Sequence, residues 1–255
     1  MSQSLEDQMK LCVDGSNRDR SIAACTAAIQ SGRLSAEDFA RMSYNRGNGY
    51  SVIGQYDRAI PDYAQFIRFD PSFTEAYYNR AVAYAKTGQN DRALQDYDQV
   101  IRLNPNHAKA FYNRGVIYGA MAQHDLAIRN YDQVLRIDPG SFIAFHNRGF
   151  AYQQKGQNDR AIRDYTEAIR LSPDFFAAYF KRGLCHLKLG QAAAAKTDFD
   201  AALRLRPDEA FSLYARGVAQ MRLSNPVLGR EDMAAAIRSK PTIADDYRRF
   251  GGPPP

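Results

Sequence analysis

The sequence lacks the features that mark several protein classes. No apolar run approaches the ~18 residues that a membrane span needs. The opening MSQSLEDQMKLCVDG has no basic-then-apolar order, so the chain is expected to stay inside the cell unless a targeting segment once preceded Met1. Three cysteines in 255 residues exclude a disulfide-dense scaffold. The four histidines, His107, His124, His146 and His186, share no metal-ligand spacing, and neither a metal site nor a cofactor is expected. No phosphate-binding loop, nucleophile elbow or dinucleotide fingerprint is present. The many Asp and Glu residues fall at regular places, as solvated helix faces and helix starts require. The sequence therefore offers no catalytic residue and reads as non-enzymatic. Low complexity is confined to the final GGPPP, expected to be a frayed end.

What is present is a folded composition with a period. The hydrophobic content of 45% supports a buried core, and a net charge of +6 permits an anionic partner without requiring one. The four letters YNRG stand at Tyr44–Gly47 and Tyr112–Gly115, with YNRA at Tyr78–Ala81 and HNRG at His146–Gly149. FKRG at Phe180–Gly183 and YARG at Tyr214–Gly217 are weaker echoes, and successive copies lie 34 residues apart. Proline keeps the same register at Pro71, Pro105, Pro139, Pro173, Pro207 and Pro241, and alanine keeps it at Ala59, Ala93, Ala127, Ala161 and Ala195. A period of 34 signals helical hairpins that bury their faces only by stacking. Within Ala108–Ser141, Phe111, Gly115 and Tyr118 share one helical face. Ala127, Ile128, Tyr131, Val134 and Leu135 form the stripe of a second helix, which Pro139 stops.

The run Tyr77–Pro105, YYNRAVAYAKTGQNDRALQDYDQVIRLNP, resembles the tetratricopeptide repeat, with its Gly, Tyr, Ala, aromatic, Ala and Pro at fixed places. The resemblance implies an all-α fold, a right-handed α-α superhelix (solenoid) of stacked antiparallel helical hairpins. Residues 1–39 are expected to form an N-terminal capping hairpin. Six units follow over 40–241, the sixth degenerate with Gly229 at the alanine place, and residues 242–255 hold a capping helix and tail. Pro61 is expected to bend a second helix or remove one of its hydrogen bonds, whereas Pro226 follows Asn225 as a first-turn proline.

In that family the first helix of each unit lines a concave face. Asn45, Asn79, Asn113 and Asn147 would then form a row able to hold a peptide backbone bidentately, since an amide carries two donors and an acceptor. The competing reading is that they cap or solvate an inner helix turn. Tyr44, Asn48, Tyr78, Lys109 and Tyr112 extend this groove on the N-terminal side. Phe150, Phe180 and Leu184 extend it on the C-terminal side, with Leu187, Phe211, Val218 and Met221 making that half apolar. A carboxylate clamp of the chaperone-binding type lacks two of its basic members here.

The arginine of each YNRG has an aspartate 16 residues later, as in Arg80 with Asp96 and Arg148 with Asp164, which predicts ion pairs tying the two helices of a hairpin. Asn130 breaks this pattern. The arginines of the second helices, Arg58, Arg92 and Arg160 among them, fall on the outer side or in last turns that suit the helix dipole. Nucleic acid is therefore an unexpected partner.

Cys12 and Cys25 are separated by 13 residues, the interval that brings an aromatic pair together in a full unit. Either they form a disulfide that staples the first hairpin, or they are two buried thiols. IAACTAAIQSG also resembles the front of exported bacterial repeat proteins, which favours an oxidising compartment such as the periplasm if a signal peptide was removed. The function expected is a scaffold or adaptor that binds a peptide or protein segment in its groove. The alternatives are an anionic-surface or nucleic-acid binder acting through the outer arginines, and a small-ligand binder in the apolar half.

Overall fold

The computed structural model describes residues 4–14, 17–249 and 251–254. These residues form fifteen α-helices and no strand. The chain divides into two compact units, Met1–Ile117 and Tyr118–Pro255, with the boundary inside α7. Of the terminal segments expected from sequence, residues 1–3, 15, 16, 250 and 255 lie outside the described residues.

The first unit contains α1 (Leu5–Val13), α2 (Arg18–Gln30), α3 (Ala36–Val52), α4 (Tyr56–Phe69), α5 (Thr74–Lys86), α6 (Asn90–Leu103) and most of α7 (Ala108–Ala120). The helices pair as α1 with α2, α3 with α4 and α5 with α6, and each pair packs on the next. The second unit holds α8 (His124–Ile137), α9 (Phe142–Gln154), α10 (Asn158–Leu171), α11 (Phe176–Lys188), α12 (Ala192–Leu205), α13 (Ala210–Arg222), α14 (Pro226–Ser239) and α15 (Ile243–Arg249). There α9–α10, α11–α12 and α13–α14 are the hairpins, α8 packs on α9, and α15 closes against α13.

The repeated letters account for these boundaries. Each second helix ends two residues before the periodic proline, and its cap N–H donates back one turn, as Asn104 does to the Val100 carbonyl at 2.8 Å. First helices end on a left-handed residue: Gly88 has φ +76°, and the following Gln89 N–H donates to the Tyr84 carbonyl at 2.8 Å. Ala122 (φ 57°) and Ser224 (φ 61°) take that conformation without glycine. Ala59, Ala93, Ala127, Ala161 and Ala195 are fully buried.

The glycine of YNRG serves close approach. A Cβ on Gly47 would sit 3.1 Å from the Tyr63 ring, and on Gly183 only 2.7 Å from Phe199. In the sixth unit a Cβ on Gly229 would stand 2.9 Å from the Gly217 carbonyl oxygen. The alanine place is glycine there because α13 and α14 cross with backbones in contact, so the departure is compensated packing.

Helix α4 runs through Pro61 and is as long as α6, 14 residues, so the proline removes one backbone donor, one of the two expected effects, without ending the helix. One local expectation changes. Gly251–Pro254 is folded back rather than frayed: Gly252 N–H donates to the Tyr247 carbonyl at 3.0 Å, and Arg222 Nη2 donates to the Pro254 carbonyl at 2.6 Å.

Candidate functional site

The arginine–aspartate pairs define one face of each hairpin. Arg80 Nε and Nη2 donate to the two carboxylate oxygens of Asp96 at 2.7 and 2.8 Å. The same fork joins Arg46 to Asp62, Arg148 to Asp164, Arg182 to Asp198 and Arg216 to Asp232. Four of the five aspartates are buried, 4% exposed at Asp62 and 2% at Asp198, and Asp232 is half-buried. Loss of the arginine would leave a carboxylate in apolar surroundings.

A second set of contacts escaped the sequence reading. Arg148 Nη1 reaches Asp132 at 2.6 Å, Arg182 Nη1 reaches Thr166 at 2.9 Å, and Arg216 Nη1 reaches Asp200 at 3.0 Å, each 16 residues back in the preceding second helix. Arg46 finds Thr26 20 residues back, because the linker after α2 is four residues longer. The third arginine, Arg114, pairs with Asp98, and Asn130 Nδ2 donates to the Leu126 carbonyl at 2.8 Å. A search for carboxylates at both i+16 and i−16 would have found Asp98, Asp132 and Asp200 but not the two threonines. One guanidinium thus ties three helices.

The first-helix face of the first unit is a lattice of tyrosine and amide. Asn79 Nδ2 donates to Tyr44 Oη at 3.1 Å and to Asn48 Oδ1 at 3.2 Å. Tyr63 Oη donates to the same Asn48 oxygen at 3.0 Å. One period later Asn113 Nδ2 donates to Tyr78 Oη at 3.2 Å. Apart from the fully buried Tyr63, these side chains, with Asn45 and Tyr112, are half-buried, and Lys109 is exposed. The amide nitrogens of Asn79 and Asn113 therefore link successive hairpins. A fully bidentate grip on a ligand backbone would require Asn79 to give up one of these internal bonds.

The corresponding face of the second unit is different. Asn147 is half-buried, with its Oδ1 3.1 Å from His146 Nδ1. Phe150 is exposed and Phe180 half-buried. Leu184, expected to line the groove, is only 2% exposed and belongs to a core cluster with Leu187, Phe199 and Val218. Leu187 and Val218 are likewise core, so the expected apolar half is smaller than its sequence suggested. Leucine and valine at helical spacing fill the space against α12 and α13, where the larger rings stay at the surface. Cations cover several of those rings: Lys181 Nζ lies 4.9 Å from the Phe150 centroid, and Arg206 lies 4.5 Å from that of Phe176.

The outer arginines are locally engaged. Arg92 Nη1 donates to Gln89 at 2.7 Å and lies over the Tyr84 ring, and Arg58 repeats this with Gln55 and Tyr50. Cys12 and Cys25 are joined as a disulfide with Cα atoms 4.7 Å apart, packed with Ala28 and Met42. Cys185 is a buried thiol whose burial pushes it up to about 12. A cleft of about 440 Å³ between the α2–α3 linker and α4, lined by Ile29, Leu34, Phe39, Arg68 and Phe69, coincides with none of the predicted residues. Among the described residues no group of three His, Cys, Asp or Glu is placed to hold a metal, and no helix is long and apolar enough to cross a membrane.

This arrangement defines a class. Tetratricopeptide-repeat profiles match residues 74–107, 108–141 and 176–209, and related profiles match 47–88, 130–163 and 154–190. The chain belongs to the tetratricopeptide-repeat family, a class of protein-interaction scaffolds. Similar solved structures carry the same fold. A repeat protein from Cytophaga hutchinsonii aligns with TM-score 0.78 at 15% identity, over 94% of this chain and 96% of the other. One from Parabacteroides merdae aligns with TM-score 0.68 at 21% identity, over 96% and 97%. YrrB, described as a repeat protein with an unusual peptide-binding site, aligns with TM-score 0.64 at 23% identity, over 73% of this chain and 97% of its own. No curated protein matches in sequence.

Proposed function

We propose that the protein is a non-enzymatic scaffold that captures a peptide or protein segment on the first-helix face of its units. The observation that carries this reading is the half-buried tyrosine–amide lattice of the first unit. Tyr44, Asn48, Asn79, Tyr78 and Asn113 present aligned polar groups whose orientation is fixed by contacts between successive hairpins. A surface ordered before binding loses little entropy when a ligand arrives. Aromatic rims supply contact area, as interfaces of this kind require. The outer arginines suit a nucleic-acid reading less well, since Arg58 and Arg92 are held by their own glutamines and tyrosines.

The test is selection of peptides from a random display library on the intact protein, followed by affinity measurement against variants. Tyr78→Ala with Asn113→Ala should weaken the selected peptides about tenfold or more. Arg58→Glu with Arg92→Glu should leave them unchanged. The reverse pattern, or binding that falls steeply with salt and needs the outer arginines, would refute the proposal.

A further inference from the structure

The amide row of the repeat does not continue into the fifth unit. Lys181, on α11, stands 34 residues after Asn147 and fills the asparagine place. Its side chain is half-buried, and Nζ lies beside the Phe150 ring of α9, which is itself 38% exposed. The other half-buried cations of the repeat, Arg46, Arg80, Arg148, Arg182 and Arg216, each meet a carboxylate within the chain. Lys181 meets none among the described residues, and the one full charge acting on it is the like charge of Lys188, about two turns further along α11. Burial accordingly pushes its ammonium below the ordinary lysine value.

The two buried carboxylates on the flanking helices are already engaged. Asp164 on α10 is held by Arg148, and Asp198 on α12 by Arg182. On α9, His146 lies near enough for the Lys181 charge to act on it, and its Nε2 is buried without a hydrogen-bond partner. Cys185 is held neutral by burial and supplies no countercharge. Beyond Lys181 the positive character extends to Arg206 over Phe176, a ring stacked on Phe180. A partly desolvated cation without a counterion, set among exposed rings, is complementary to a carboxylate flanked by apolar groups.

We propose that Lys181 receives the carboxylate of an Asp or Glu side chain in a bound peptide, with the flanking apolar residues of that peptide resting on Phe150 and Phe180. This rests on the peptide-capture reading above and names the chemistry one part of that face selects. The pair would form between an ammonium and an acidic side chain, with no bond made or broken.

The probes are two blocked peptides, acetyl-AFEFA-amide and acetyl-AFQFA-amide, titrated into the full chain by NMR, which reads weak affinities. The glutamate peptide should bind about fivefold or more tightly, and its saturation should raise the His146 titration midpoint. In Lys181→Asn, which restores the residue of the earlier units, the two peptides should bind equally and the glutamine peptide should be unaffected. Equal affinities in the natural chain would overturn the proposal and leave the capture reading standing. A preference that survives in Lys181→Asn would overturn the assignment to Lys181. Failure of both peptides to bind would overturn the proposal together with the capture reading for this unit.

Discussion

The two units use one backbone pattern to present different surfaces. In the first, tyrosines and amides of the first-helix face are internally bonded, with Asn79 and Asn113 donating to Tyr44 and Tyr78, and Lys109 is exposed beside them. In the second, His146 and Phe180 take the tyrosine place and Lys181 an asparagine place, and phenylalanines at other places carry cations: Lys181 over Phe150, Arg206 over Phe176 and Lys240 over Phe211. The hairpin-tying arginines are common to both. The difference teaches which repeat positions the fold constrains. The Arg–Asp fork, the close-approach glycine and the buried alanine are dictated by contact between helices. The places ahead of the arginine are free to vary, and in the capture reading proposed above they would set what the surface recognises.

That division predicts a hierarchy of effects. Arg148→Met should be the most damaging substitution, at about 3–5 kcal/mol, because it strands the buried Asp164 and releases Asp132 as well. Pairing it with Asp164→Leu should recover most of the loss. Chemical denaturation checks both, and a double variant no better than Arg148→Met would show that the buried carboxylate is not the cause. Arg80→Met in the first unit should cost somewhat less, since the fork to Asp96 is the contact it loses.

Next in size is the staple of the first hairpin. Replacing Cys12 and Cys25 with Ser should destabilise the first unit by about 2–4 kcal/mol, given the short loop that the bridge closes. Calorimetry should show the lower-melting part of the chain shifting while protection of α9–α14 against hydrogen exchange stays the same. Equal loss throughout would contradict the division into two units.

The smallest effect concerns His146, at the place where the first three units carry tyrosine. Burial pushes its imidazole below the ordinary value of 6.5, with the Lys181 charge adding to the depression. The folded chain therefore binds fewer protons than the unfolded chain as pH falls below 6.5. Stability is full above that value and declines as pH falls through the depressed one. His146→Tyr should flatten the decline. Denaturation midpoints across acidic pH test it, and an unchanged slope would place the loss elsewhere.

The fold was almost wholly legible in the sequence, because a 34-residue period with proline, glycine and alanine in register leaves one way to bury the helices. The Arg–Asp pairing was legible for the same reason, since position within a hairpin follows from spacing. What spacing could not give was depth. Leu184 and Phe180 occupy similar helical positions, yet Leu184 sinks into the core with Leu187 and Phe199 while Phe180 stays half-exposed. Gly229 looked like decay until its backbone contact with Gly217 was visible. Asn79 looked like a free amide, and its bonds to Tyr44 and Asn48 depend on a neighbouring repeat that sequence alone does not position.

The most direct test of the account is amide chemical-shift mapping of the intact chain with a peptide selected from a random library. The account predicts the largest changes on first helices, either on α5 and α7 around Asn79 and Asn113 in the first unit or on α9 and α11 around Phe150 and Lys181 in the second. Changes concentrated on α4, α6 and α10, around Arg58, Arg92 and Arg160, would contradict it.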